Sequence, residues 1–118
     1  MTERAPRILI ADDDAVARLV AQAALESAGF EVLEAEDGRA AVTLFTQQNP
    51  ECVILDVIMP ELDGFDACRE IRATPTGRDA PILIMTSRDD VDAVARAYAS
   101  GATDFTTKGI SNRLLIER

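Results

Sequence analysis

Histidine is absent from this chain of 118 residues. That removes Ser-His and Cys-His nucleophilic pairs, imidazole metal ligands and any phosphohistidine chemistry within the chain itself. Cysteine is scarce: Cys52 and Cys68 form no CxxC pair, and Cys52 falls inside an apolar run. Both therefore read as ordinary reduced residues, with neither a disulfide nor a metal role. Positive charge is also short, with 12 basic against 21 acidic residues, a net charge of -9 and no basic stripe. That balance argues against direct nucleic-acid binding through phosphate neutralisation and favours a protein partner or a cation. No stretch approaches the apolar length that crosses a bilayer, and the start MTERAPR lacks the apolar segment of a signal peptide. The expectation is a cytoplasmic chain with no membrane partner. Repeats and low-complexity linkers are missing too, so the length suits one domain, and a hydrophobic content of 47% is enough to build its core.

What is present is carboxylate, placed at two informative points. Asp12-Asp13-Asp14 follows the apolar run Ile8-Leu9-Ile10-Ala11, and Asp56 follows Cys52-Val53-Ile54-Leu55. A strand interior cannot solvate a carboxylate, whereas the carboxyl-terminal edge of a parallel sheet is where α/β proteins open their ligand crevice. Anions crowded there repel one another, and a hard divalent cation such as Mg²⁺ relieves the repulsion with oxygen ligands. The plainer alternative is a set of solvated turn acids. It is preferred for Asp14, a natural N-cap, and rejected for Asp13 and Asp56 taken together.

Short apolar runs alternate with helical patterns, the signature of βαβ units and a parallel sheet. Strands are expected at Arg7 to Ala11, Glu31 to Ala35, Cys52 to Asp56, Ile82 to Thr86 and Ala102 to Thr106. Between them, Val16, Leu19, Val20 and Ala23 keep i, i+3, i+4, i+7 spacing, as do Val91, Val94, Ala95 and Tyr98, which marks amphipathic crossover helices. Ala41, Leu44 and Phe45 mark another, ended near Asn49-Pro50, and Phe65, Cys68 and Ile71 a fourth. Gly29 and Gly101 stand where helix C-caps belong. Ser111 to Arg118 reads as a short fifth helix with Leu114 and Leu115 facing inward, cut off within its pattern, so residues 1–118 are expected to be the N-terminal part of a longer protein.

ILIADDDAVARLV, LDVIMPELDGF, PILIMTS and GATDFTTKG occur in an order and spacing that resemble the response-regulator receiver domain of two-component phosphorelays, over essentially the whole chain. The resemblance implies a flavodoxin-like fold: a five-stranded parallel sheet of order 2-1-3-4-5 with helices on both faces. It also implies that Asp56 is the phosphoacceptor, served by a sensor histidine kinase or a histidine phosphotransfer protein. Mg²⁺, or Mn²⁺ in its place, would be held directly by Asp13 and Asp56, mainly through water by Asp12, and by the main-chain carbonyl of Ile58. Thr86 and Lys108 would grip the phosphoryl oxygens, since phosphoryl transfer is mostly positioning and charge neutralisation. Phe105 would be the aromatic that swings inward as the hydroxyl moves, and with Tyr98 it would lie on an output face formed by the fourth helix, fifth strand and fifth helix. An output domain beyond residue 118, or a phosphorylation-dependent dimer, would read that face. The tail GISNRLLIER resembles those of receivers joined to cyclic-di-GMP domains. Such a chain is no enzyme in the usual sense, because it promotes only its own phosphorylation and dephosphorylation.

Further expectations attach to single positions. Ile58 and Arg88 flank the path of a hydrolytic water: an apolar wall offers that water no hydrogen bond, and Arg88 can cover the phosphate as a bidentate donor. Met59-Pro60 and Asp63-Gly64 shape the loop after Asp56, where Pro fixes one backbone angle and Gly permits a positive one. Gly109 departs from the proline usual in the family after the lysine, so the Lys108-Gly109 peptide is expected to be trans. Among competing readings, Asp12-Asp13-Asp14-Ala15-Val16 also fits a haloacid-dehalogenase-type phosphatase, with Asp12 as nucleophile and Asp14 as acid/base, but LDVIMPELDG is then unexplained. A pseudo-receiver that never takes phosphate is a second alternative, and a flavodoxin-type cofactor binder lacks its phosphate loop.

Overall fold

The computed structural model describes residues 5–86 and 91–107. The elements run β1 (Arg7–Ala11), α1 (Ala15–Ser27), β2 (Glu31–Ala35), α2 (Gly38–Gln48), β3 (Cys52–Asp56), α3 (Gly64–Arg72), β4 (Ile82–Thr86), α4 (Val91–Ala99) and β5 (Asp104–Thr107). All strand pairs are parallel, and the sheet order is β2-β1-β3-β4-β5. This is the expected flavodoxin-like arrangement. The fifth helix expected at Ser111 to Arg118 lies outside the described residues.

The central strands are continuously apolar because both faces are covered. Leu9, Val53, Leu55, Ile82 and Ile84 join Phe45 of α2, Phe65, Cys68 and Ile71 of α3, and Ala97 of α4 in one core. Ile8, Ile10, Ile54 and Leu83 form the other face with Ala21 and Leu25 of α1. The helix ends obey local chemistry. Asp14 accepts from the backbone N–H groups of Val16 and Ala17, Asp37 from that of Ala40, and Asp63 from that of Asp66, so an aspartate caps each of α1, α2 and α3. After α1 the chain turns through Gly29 at φ 97°, after α4 through Gly101 at φ 103°, and Asn49 takes the left-handed conformation after α2.

Four strands fall where the sequence places them, and the fifth does not. It starts at Asp104 instead of Ala102 and ends at Thr107. The hydroxyl of Thr103 accepts the N–H of Ile82 and a guanidinium N–H of Arg72, so a side chain does the work of the ladder there. Two helical faces also differ from expectation. On α1, Val16, Leu19 and Val20 are 68%, 63% and 49% exposed, and Ala23 is exposed as well. Ala21 and Leu25 point inward instead, alongside Arg18, whose guanidinium donates to the Asp12 carbonyl and pairs with Glu34. On α4 the buried residues are Ala93 and Ala97, whereas Val94 is half-buried and Ala95 and Tyr98 are exposed. Among the described residues of α4 only alanines are buried, and on α1 Ala21 and Leu25 pack inward beside Arg18, so in both helices the expected stripe is turned outward.

Candidate functional site

Register alone brings the acids together. Ala11 of β1 is opposite Leu55 of β3, so the next residues along, Asp12 and Asp56, emerge side by side at the carboxyl-terminal edge. Asp12 is 3% exposed and Asp56 5%, while Asp13 is exposed. One carboxylate oxygen from each of Asp12, Asp13 and Asp56 can be chosen so that all three lie within 4.8 Å of one another. Each buried acid is oriented by its own backbone: Asp12 Oδ1 accepts the N–H of Asp14 at 3.0 Å, and Asp56 Oδ1 accepts that of Val57 at 2.9 Å. A cluster of hard oxygen donors, with no imidazole or thiolate in it, suits Mg²⁺ or Mn²⁺ and not a softer metal.

The loop behind Asp56 is built to stay close. The N–H of Gly64 donates to the Val57 carbonyl at 2.9 Å, and a Cβ on Gly64 would come within 2.1 Å of the Asp56 carbonyl oxygen. Glycine is therefore required for space, not for the positive φ expected from the sequence; in this loop the positive φ belongs to Glu61, at 70°. Gly38 makes a similar allowance, since a Cβ there would come within 1.9 Å of the Leu62 carbonyl oxygen. Ile58, two residues after Asp56, is 62% exposed.

The remaining candidates are placed unevenly. Thr86 is the last residue of β4, one step beyond Met85, which is opposite Asp56, and it is itself opposite Thr107. Phe105 is half-buried, lies opposite Ile84 and packs against the larger core. Arg88, Lys108 and Gly109 lie outside the described residues, so the expected trans peptide does too. Burial pushes the Cys52 thiol above its ordinary value, with a backbone hydrogen bond at Val53 opposing. Burial does the same at Cys68, against Ser100, Arg72 and Arg69. Neither thiol belongs to the carboxylate cluster.

Sequence reasoning missed two features beside this cluster. One is the outward apolar stripe of α1. The other is the guanidinium of Arg96, whose central carbon stands 4.4 Å from the centroid of the Phe65 ring. The signal for the first was available: Arg18 falls on the opposite face from Val16, Leu19 and Val20, and an arginine that can reach a strand-end carbonyl orients a helix.

A parallel sheet of this order with three acids at its carboxyl-terminal edge is the arrangement expected of a receiver domain, and the comparisons show that family. The family described as the response regulator receiver domain matches residues 8–118, and the chain belongs to it. Response regulator MprA of Mycolicibacterium vanbaalenii is 40% identical over 112 residues, covering 95% of this chain and 48% of the relative. MprA of Mycobacterium avium is 38% identical over 112 residues, with the same coverage of 95% and 48%. The chain thus spans about half the length of these curated relatives. Among solved structures, chemotaxis protein CheY4 of Vibrio cholerae superposes with a TM-score of 0.92 at 28% identity, covering 97% of this chain and 95% of that one. The receiver domain of sensor histidine kinase PA1611 from Pseudomonas aeruginosa, with a magnesium ion coordinated in its active-site cleft, gives 0.90 at 31% identity, covering 97% and 93%. With Asp14 occupied as the cap of α1 and the family established, the phosphatase alternative loses its support.

Proposed function

We propose that this receiver domain takes a phosphoryl group onto Asp56 in a Mg²⁺-dependent reaction and thereby switches a surface that controls an output. The observation that carries the reading is the convergence of the Asp12, Asp13 and Asp56 carboxylates within 4.8 Å at the sheet edge. A carboxylate oxygen of Asp56 forms the new bond to phosphorus while the bond from phosphorus to the donor nitrogen breaks, its electron pair staying with the departing imidazole. This chain holds no histidine, so the donor histidine belongs to a kinase or phosphotransfer protein.

Asp13 and Asp56, with Asp12 mainly through water and the Ile58 carbonyl, would hold the Mg²⁺, which neutralises the charge that three carboxylates and a phosphoryl group concentrate there. The chain's own residues do the rest. The Val57 N–H donates to Asp56 Oδ1 at 2.9 Å and helps to orient the carboxylate. Thr86, at the end of β4, and Lys108 would hold the phosphoryl oxygens, and movement of Thr86 would draw in Phe105, already packed at the core edge. A phosphoryl group can shift an equilibrium only between states it contacts differently, and that hydroxyl supplies the difference. Ile58 presents an exposed apolar side chain two residues after Asp56, which supports slow hydrolysis, and Arg88 would add a second cover. The domain acts on itself alone and is not an enzyme toward other substrates.

The outward stripe of α1 begins two residues after Asp14, immediately beside the carboxylates, and supports docking of the phosphodonor protein there. Exposed apolar side chains continuous with a reaction centre fit an apolar partner surface that must bring its histidine to Asp56. The output reader follows the fourth helix and fifth strand; an output domain of the cyclic-di-GMP class rests on the tail sequence alone.

Incubation with Mg²⁺ and acetyl phosphate, followed by intact mass, tests the reading. One labile phosphoryl should appear on the wild type and vanish with Asp56→Asn, and Asp13→Ala should abolish the Mg²⁺-dependent reaction while the fold persists. A wild type that takes no label would instead make this a pseudo-receiver.

A further inference from the structure

Phe65 and Arg96 sit on different helices, and their contact bridges a cleft. Phe65 is buried at the start of α3, one residue after Gly64, where an added Cβ would meet the Asp56 carbonyl oxygen. Arg96 is exposed on α4, with its guanidinium carbon 4.4 Å from the Phe65 centroid, a distance at which a cation is attracted to the ring face. The cleft between them holds about 280 Å³, and its lining includes Val57, Ile58, Asp63 and Asp92 beside these two residues. Arg96 forms no ion pair among the described residues, although Asp63 and Asp92 line the same cleft. Its reach across the gap is therefore accounted for by the ring.

A continuous path joins that ring to the phosphoacceptor. Asp56 Oδ1 accepts the Val57 N–H at 2.9 Å, and the Val57 carbonyl accepts the Gly64 N–H at 2.9 Å. A Cβ at Gly64 would come within 2.1 Å of the Asp56 carbonyl oxygen, so this segment packs closely on the Asp56 backbone. Phe65 is the next residue, and Arg96 rests on it.

We propose that Arg96 is a positioning residue which, through its stack on Phe65, ties α4 to the loop behind Asp56. The placement of α4 and the phosphorylation of Asp56 then bias each other. The inference rests on Asp56 taking a phosphoryl group, and it describes a route separate from the one through Thr86 and Phe105. A phosphoryl group changes what the Asp56 oxygens can accept, the Val57 to Gly64 segment adjusts, and the ring under Arg96 shifts with it. Linkage makes the effect reciprocal: whatever fixes α4 also changes how readily Asp56 is phosphorylated.

The test compares wild type with Arg96→Met, which keeps the packing stem and drops the charge, with Arg96→Lys, which keeps a cation, and with Phe65→Leu. Each is incubated with Mg²⁺ and acetyl phosphate, and both the labelling rate and the amide exchange of residues 92–99 are followed with and without label. Exchange in α4 should respond to phosphorylation in the wild type, and Arg96→Met should shrink that response and change the labelling rate by about two- to fivefold. Arg96→Lys should restore part of both, and in the Phe65→Leu background Arg96→Met should add nothing further. These readouts separate positioning from plain stability, which thermal unfolding reports for each variant. A labelled wild type with Arg96→Met unchanged in rate and α4 exchange overturns the inference alone. A wild type that takes no label overturns it together with the reading of Asp56.

Discussion

Helices α1 and α3 look alike in sequence and behave oppositely in the fold. Each carries an apolar stripe at helical spacing. On α3 that stripe, Phe65, Cys68 and Ile71, is buried under the sheet, with Ile71 at 0% exposure. On α1 the stripe of Val16, Leu19 and Val20 faces solvent, while Ala21, Leu25 and the inward Arg18 meet the sheet. The lesson is that periodicity establishes that a helix has an apolar face, but the packing partner decides which face is used. Where the bulkier face is left outside, as on α1, it lies beside the carboxylate cluster and is not part of the core.

That contrast is open to direct attack. The largest effect should come from the inward face of α3: Ile71→Ala removes a fully buried side chain and should lower stability by about 2 to 5 kcal/mol, as measured by chemical denaturation. Next comes the loop that α3 anchors. Gly64→Ala places a Cβ against the Asp56 carbonyl and should cost about 1 to 3 kcal/mol, slowing phosphorylation by acetyl phosphate as well. If Gly64→Ala were as stable and as readily labelled as the wild type, the loop would be looser than its contacts imply.

On the outward face of α1, Leu19→Ser should leave stability within about 0.5 kcal/mol of wild type. Its effect should instead appear in transfer from a phosphorylated kinase or phosphotransfer protein, slowed about tenfold while labelling by acetyl phosphate is unchanged. Equal slowing with both donors would place Leu19 in the chemistry or the fold, and the contrast with α3 would dissolve.

The smallest effect concerns the thiols. Because burial holds Cys68 and Cys52 above the ordinary thiol value, the folded state favours their protonated forms. The stability they contribute is fully present below the unfolded thiol pKa of roughly 8.5 and is lost as pH rises through the folded values. Alkylation of the native protein at pH 8 should accordingly be slower than that of the denatured chain, more so at Cys68, which is completely buried.

Much of this molecule was legible beforehand, for identifiable reasons. β1, β3 and β4 are bounded by turn residues and dominated by β-branched or aliphatic side chains, and β2 centres on Val32 and Leu33 between Gly29 and Asp37, so their limits could be read directly. The carboxylates at the ends of β1 and β3 were legible because buried strands do not tolerate acids without a purpose. β5 was misplaced by two residues at its start because the Thr103 hydroxyl substitutes for a strand hydrogen bond, which composition does not reveal. The inward face of α4 was hidden because alanines do the packing there, and an alanine carries little weight in a hydrophobic pattern; that of α1 was hidden because Ala21 and an arginine share it with Leu25. Gly64 was recognised as a loop determinant, but its cause, a carbonyl oxygen within 2.1 Å of where a Cβ would stand, exists only in three dimensions.

Of the neighbouring acids Asp12, Asp13 and Asp56, the buried carboxylate at the end of β3 should be the one that takes the phosphoryl group. Trapping with borohydride addresses it most directly, because an acyl phosphate is reduced to an alcohol whereas free carboxylates are untouched. After phosphorylation with Mg²⁺ and acetyl phosphate, reduction and peptide mass analysis should find homoserine at Asp56, with Asp12 and Asp13 unaltered. Homoserine at Asp12 or Asp13 would contradict the account.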